Sequence, residues 1–103
     1  MGFAVRFSQS ARDDLLRLHD FLLARCETIE DLASAERAID ALVSGTAILS
    51  RTPFVCRKAG SDPHLRELLV PFGRSGYVLL FEIDDASTIT VHAVRHQLED
   101  DYH

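Results

Sequence analysis

The feature that most constrains the fold is a change in hydrophobic period at Pro53. Before it, apart from a short alternating segment at residues 3–7, apolar residues recur at intervals of three and four, which is the spacing of a helix face packed on a core. After it they alternate or run together, as they do in strands. Because proline does not continue a helix, the chain divides into a helical part and a strand part.

Two helices are predicted before the proline. The first begins near Ser10, which opens an S-x-x-D capping pattern, and the second covers about residues 30–49 behind a similar pattern at Thr28. Their apolar faces should pack on a sheet, and the residues concerned are Leu15, Leu18, Leu22, Leu32, Ile39 and Leu42. Gly45 should weaken the last turns of the second helix by ~1 kcal/mol relative to alanine.

Four strands are predicted, over residues 3–7, 64–70, 77–83 and 88–95. Loop and turn residues fill the intervals 54–63, 71–76 and 84–87. The third strand is almost wholly apolar and should lie centrally, and Ile89, Val91 and Ala93 should share one face of the last strand. The helices should pack against four strand residues: Leu79, Phe81, Ile89 and Val91. The predicted class is α+β, in the order β-α-α-β-β-β. One domain over residues 1–103 holds an antiparallel meander, with the first strand beside it, packed on a helical hairpin.

Composition excludes several classes of protein. The chain has 103 residues, 11 basic and 16 acidic, and its net charge of -5 weighs against a protein that grips nucleic-acid backbone. No apolar run approaches the ~20 residues of a membrane span, and the N-terminus lacks the pattern of a signal peptide. Cys26 and Cys56 are too few for a zinc site or a disulfide framework. We therefore expect a cytoplasmic domain without metal or other cofactor, membrane contact or direct contact with nucleic acid.

A small set of side chains could carry chemistry if the last strand lies beside the others: Arg66, Arg74, Arg95, His96 and Tyr102. Arginines could clamp a phosphate and the histidine could move a proton. The alternative is that the arginines pair with carboxylates such as Glu67 and Glu82 or those of the tail. His92 and His96 are four residues apart, and a strand would separate their rings by ~13 Å, so no metal site is predicted.

Charge is uneven along the chain, because residues 51–74 hold five basic and two acidic side chains and are net +3. The basic side chains are Arg51, Arg57, Lys58, Arg66 and Arg74. This basic stretch is either the site of an acidic partner segment or ordinary solvated surface, and the residues alone leave both open. Two of its cations, Arg57 and Lys58, directly follow Cys56 and could lower the pKa of that thiol. No base or nucleophile partner is evident nearby, so Cys56 is interpreted as a loop thiol.

Four stretches resemble the RelE/ParE superfamily of bacterial type II toxins, which are often labelled plasmid stabilisation proteins. They cover residues 7–15, 64–68, 73–81 and 94–97 and lie in family order over the whole chain. The fold that this resemblance implies is a small sheet against a helical hairpin, in agreement with the hydrophobic pattern.

RelE-like members of this superfamily are ribosome-dependent mRNA endonucleases. They carry two lysines before a Gly-Tyr pair and an arginine just after it, which stabilise charge on the phosphate. Aligned on Gly76-Tyr77, the lysine positions hold Leu69 and Pro71 in this chain, and the arginine position holds Val78. If the chain were such an RNase, its catalytic residues would be Arg66, Arg74, His96 and Tyr102.

ParE-like members inhibit DNA gyrase, are not known as nucleases, and have a longer helical hairpin and often a His-Gln pair after the last strand, as at His96-Gln97. The resemblance therefore favours a ParE-like toxin that is not an enzyme. It implies binding to the gyrase A subunit through Arg95, His96 and Gln97, and neutralisation by a co-encoded ParD-like antitoxin, which we expect on the basic stretch. The alternatives are the RNase and a non-toxic member that only binds antitoxin.

Overall fold

The computed structural model describes residues 2–72 and 75–96. Its elements are β1 (Ala4–Phe7), α1 (Gln9–Ala24), α2 (Ile29–Arg51), a short 3-10 helix (Pro53–Val55), β2 (Arg57–Lys58), β3 (Leu65–Phe72), β4 (Ser75–Ile83) and β5 (Thr88–His96). The strands form one sheet in the order β1-β5-β4-β3-β2, antiparallel except for the parallel pair β1 and β5. The predicted α+β fold is confirmed, with β2 as an additional strand inside the predicted loop. The predictions for Arg74, Gln97 and Tyr102 lie outside the described residues.

Both helices are capped by a hydroxyl, but α1 begins earlier than predicted. Ser8 is the cap instead of Ser10, and its Oγ accepts a hydrogen bond from the Ala11 N–H at 3.1 Å. The backbone N–H of Ser8 donates to the Val91 carbonyl at 2.9 Å, so the end of β1 fixes the residue that starts the helix. The predicted cap of α2 at Thr28 is confirmed, since its Oγ1 accepts from the N–H three residues on.

The core lies between the two helices and one face of the sheet. The predicted strand residues are fully buried: Leu79, Phe81, Ile89 and Val91. Of the predicted helix residues, Leu18 and Leu42 are buried, and Leu15, Leu22 and Ile39 are partly buried against the core. The prediction for Leu32 is wrong, because its side chain is 42% exposed and lies in a cleft lined only by residues of the two helices. No helix in the described part of the chain is long and apolar enough to cross a membrane.

Gly45 is buried within α2, which continues past it to Arg51. A Cβ at this position would lie 3.1 Å from the Val70 Cγ2 and 3.6 Å from the Leu79 Cδ1. The glycine lets the helix approach the sheet closely, so its low helix propensity is offset by packing.

The β3–β4 hairpin is tighter than the predicted turn at residues 71–76. Pro71 pairs with Gly76, and Phe72 pairs with Ser75. Pro71 is tolerated because β2 pairs with β3 only farther back, so this part of β3 is a sheet edge. A Cβ on Gly76 would lie 2.3 Å from the Val70 carbonyl oxygen, so only glycine fits there without a backbone shift.

A β-bulge interrupts β5. Leu80 lies opposite Ala93 while the next residue of β4 lies opposite Val91, so His92 is the extra residue. The bulge reverses the alternation, and Val94 joins the core in place of Ala93. The prediction that Ala93 shares a face with Val91 is therefore wrong.

Candidate functional site

The structure does not bring together the described members of the predicted catalytic set. Arg66 of β3 lies opposite Phe81 on β4, and His96 of β5 lies opposite Tyr77. These two positions on β4 are four residues apart, or about 13 Å along the strand. Since β3 and β5 also flank β4 on opposite sides, the two side chains cannot act on one phosphate.

Arg66 instead holds the segment before β2 onto β3. Its Nη1 donates to the carbonyls of Phe54 and Cys56 at 2.9 and 2.7 Å, and its Nε donates to the Pro63 carbonyl at 2.8 Å. The guanidinium carbon also lies 5.3 Å from the centre of the Phe54 ring. The expected pairing of Arg66 with a carboxylate is replaced by contacts with backbone oxygens.

The rest of the described basic stretch is at the surface. Arg57 pairs with Glu67 across β2 and β3, with 2.9 Å between Nε and Oε1. Arg51 and Lys58 are exposed. The positive charge of the stretch is thus partly neutralised by Glu67, and Arg51 and Lys58 remain at the surface.

Cys56 is a buried thiol. Burial raises its pKa, and the charge of Arg66 opposes this only in part. The prediction that its sequence neighbours lower the pKa is wrong, because the Arg57 and Lys58 side chains extend from an exposed strand. A protonated, enclosed thiol is a poor nucleophile, so Cys56 has a packing role.

Arg95 belongs to a buried ionic cluster that the sequence predictions missed. Its Nη1 donates to the Asp14 Oδ2 at 2.5 Å, and the same oxygen accepts the Val94 N–H at 2.9 Å. Arg17 donates to the other carboxylate oxygen at 2.9 Å. The available signal was the position of Asp14, which places a carboxylate on the apolar face of α1 between Ala11 and Leu18.

The environment of Asp14 keeps its carboxyl group ionised. Burial by itself would raise the pKa, but hydrogen bonds from the Val94 N–H, Arg17 and Arg95, together with the charge of Arg95, outweigh burial and hold the pKa below its ordinary value. The group is therefore a permanent buried anion at neutral pH.

The two histidines of β5 have different neighbours. His96 lies with its ring edge towards Tyr77, with 5.3 Å between ring centres, and burial raises the pKa of that tyrosine. His92 lies at the bulge, with its Nε2 3.0 Å from the Glu82 Oε1. Within residues 2–72 and 75–96, no three potential metal ligands come together.

The sheet face opposite the helices is apolar where β3 and β4 meet. Leu69 lies opposite Val78, and Pro71 lies opposite Gly76. On the other side of β4, Arg95 also lies opposite Val78. The leucine is 41% exposed and the valine is buried. In a RelE-like RNase the positions of Leu69, Pro71 and Val78 would carry cations, whereas here they form an uncharged patch.

An apolar groove runs between the helices, with a volume of about 380 Å³. Its main lining residues are Phe7, Leu15, Leu16, Ile39, Leu42 and Val43. Leu16 on α1 and Val43 on α2 form the rim, and each is 62% exposed. Paired apolar residues at the rim of a groove are typical of a protein interface.

Comparisons with known proteins agree with this architecture. The family described as "ParE toxin of type II toxin-antitoxin system, parDE" matches residues 5–101. A relative from Caulobacter vibrioides, Toxin RelE3, is 34% identical over 97 residues, which cover 93% of this chain and 96% of that protein. A solved structure titled "Chromosomal ParDE TA system from P. aeruginosa" matches with a TM-score of 0.65 at 14% identity, covering 91% of this chain and 95% of that chain, and it shows the same fold.

Proposed function

Because the chain belongs to the ParE toxin family of type II toxin–antitoxin systems, we propose that it is a toxin that inhibits DNA gyrase by binding and has no nuclease activity. The observation that carries this proposal is the uncharged patch of Leu69, Pro71 and Val78. The RelE-like mRNA endonucleases of the same superfamily hold cations at these positions.

The chemistry of RNA cleavage explains why this patch matters. Cleavage at a phosphate builds negative charge in the transition state, and positioned cations stabilise that charge. Here the β3 and β4 positions carry aliphatic side chains. Arg66 cannot replace the missing cations, because its guanidinium is committed to three backbone carbonyls.

The end of β5 is the proposed contact with the A subunit of gyrase. Arg95 and His96 are the last two described residues there, and Gln97 follows in the sequence. An arginine suits a protein interface, since arginines are among the residues that often dominate binding energy. Of the described pair, Arg95 is fixed by Asp14 and His96 contacts Tyr77.

The groove between the helices is the proposed site for apolar side chains of a co-encoded ParD-like antitoxin. An amphipathic helix commonly docks by placing such side chains in a groove of this kind. Arg51, Arg57, Lys58 and Arg74 of the basic stretch would attract acidic residues of the same partner, while Arg66 shapes the adjoining loop. The solved ParDE system with the same fold supports a protein partner of this class.

Induced expression, with DNA breaks and mRNA integrity followed separately, tests the target. We expect growth inhibition, accumulating DNA breaks, intact mRNA and inhibition of supercoiling by purified gyrase. Ribosome-dependent mRNA cleavage that is abolished by His96→Ala or Tyr102→Phe would support the RNase alternative. A chain that binds antitoxin but does not slow growth would be a non-toxic family member.

Substitutions at the rim of the groove test the antitoxin site. Leu16→Glu and Val43→Glu should each weaken antitoxin affinity at least about tenfold, because a carboxylate at the rim opposes apolar docking. Ile29→Glu is the matched control, since Ile29 is 86% exposed and lies outside the groove. Equal effects at all three positions would contradict the site.

A further inference from the structure

β5 extends beyond its neighbour at one edge of the sheet. β1 pairs with β5 only as far as Phe7 opposite Val91, and the chain then turns into α1 at Ser8. Among residues 2–72 and 75–96, the segment 92–96 therefore has β4 on one side and no strand on the other. Backbone groups at such an edge need another partner when they are buried.

Asp14 supplies that partner from α1. Its Oδ2 accepts the Val94 N–H at 2.9 Å in place of a strand carbonyl, and it also accepts the Arg95 guanidinium. The side chain is almost enclosed, and among residues 2–72 and 75–96 Asp14 is the only buried charged residue. A carboxylate held this way is both neutralised and oriented.

Arg95 is held at more than one point. Its Nη1 contacts the Asp14 carboxylate and lies 3.2 Å from the Val94 carbonyl oxygen of its own strand. The guanidinium is therefore tied to the strand end and to α1 together. Two directional contacts on one group restrict the orientations that it can take.

We propose that Asp14 is a positioning residue, which replaces the missing strand beside β5 and holds Arg95 in the orientation that the toxin's target recognises. This inference rests on the proposed role of the end of β5 in target binding. Asp14 is buried, so it acts through Arg95 and does not touch the target.

Asp14→Asn is the informative variant. The amide oxygen of asparagine can still accept the Val94 N–H, but the charge that holds Arg95 is lost. Arg17→Gln is the matched control, because Arg17 contacts the other oxygen of the same carboxylate and its side chain is 53% exposed. Growth inhibition at equal protein level, gyrase inhibition and antitoxin affinity would be measured for each, with Arg95→Gln and the Asp14→Asn/Arg95→Gln double variant.

Asp14→Asn should weaken growth inhibition and gyrase inhibition at least about tenfold, while antitoxin affinity stays within about twofold of the wild type. The double variant should be no weaker than Arg95→Gln alone, because coupled residues are not additive. Arg17→Gln should stay near the wild type in all three measurements.

Three outcomes would overturn the inference. One is wild-type toxicity in Asp14→Asn, and another is an equal loss of toxicity and antitoxin affinity, which would make Asp14 a purely structural residue. The third is additive loss in the double variant. Failure of the gyrase proposal is separate, since it would appear as a wild-type chain that slows growth without inhibiting gyrase, and growth inhibition would still test Asp14.

Discussion

One charged side chain completes each of the two margins of the sheet, as a hydrogen-bond acceptor at one margin and as a donor at the other. Beside β5, Asp14 accepts hydrogen bonds from the Val94 N–H and from the Arg95 guanidinium within a buried cluster. Beside β2 and β3, the half-buried Arg66 donates to three neutral carbonyls. Removing Asp14 would take the carboxylate from the largely buried Arg95 guanidinium and the acceptor from the buried Val94 N–H. Removing Arg66 would leave carbonyls that water can reach more easily. Burial thus makes the first margin costlier to break.

The largest loss of stability should come from Asp14→Ala. Loss of the carboxylate removes the ion pair with Arg95, whose side chain is 17% exposed, and the acceptor of the buried Val94 N–H. We therefore expect the free energy of unfolding to fall by about 3 kcal/mol. Urea denaturation with an unchanged slope would measure this. A loss below about 1 kcal/mol would show that the cluster is hydrated and that the two margins are equivalent.

The second-largest loss of stability should come from Arg66→Met, which keeps the aliphatic stem of the side chain and removes its three hydrogen bonds to carbonyls. We expect a loss of about 1.5 kcal/mol, since the carbonyls regain water in part. Arg66→Lys should restore little of it, because an ammonium cannot reproduce the planar fork. The same urea titration checks both variants, and full rescue by lysine would mean that charge alone holds the loop.

Low pH should affect the stability of the Asp14 margin more than that of the Arg66 margin. The folded-state pKa of Asp14 lies below its ordinary value of 3.8, so its contribution to stability is present above that value and is lost as the pH falls through the lower, folded-state pKa. Melting temperatures between pH 7 and pH 2 should therefore fall less steeply for Asp14→Asn than for the wild type. Arg66→Met should keep the wild-type slope, and parallel curves for all three proteins would contradict the prediction.

The smallest loss of stability should come from Arg57→Gln. This arginine pairs with Glu67 at 2.9 Å, but its side chain is 60% exposed. Exposed ion pairs contribute little, and we expect a loss of at most about 0.5 kcal/mol that diminishes in salt. A loss as large as that of Arg66→Met would mean that the β2 edge depends on charge and not on carbonyl contacts.

The hydrophobic period of the sequence was enough to place both helices, four strands and most of the core. The pattern could not reveal β2, because two residues are too few to alternate. The bulge at His92 was equally hidden, since alternation is a property of the chain alone and a bulge depends on the register with β4. Ser8 and Ser10 both suit a helix cap, and only the contact of Ser8 with β5 decides between them.

The candidate site was less predictable for a different reason. Arg66 was expected to bind an anion, but its partners are main-chain carbonyls, which every residue carries and which leave no sequence signal. Asp14 did leave a signal, as a carboxylate between Ala11 and Leu18 on a helix face that is otherwise apolar. Its partner Arg95 could not be assigned, because 81 residues separate the two positions.

The parallel pairing of β1 with β5 determines when the protein can mature during translation. Ala4 lies opposite Thr88, so the first strand to leave the ribosome has no strand to pair with until the last one has been synthesised. Phe3, Val5 and Phe7 pack against a core that β5 helps to build, and contacts so distant in sequence form late. A nascent chain therefore has no Asp14–Arg95 cluster until β5 has been synthesised.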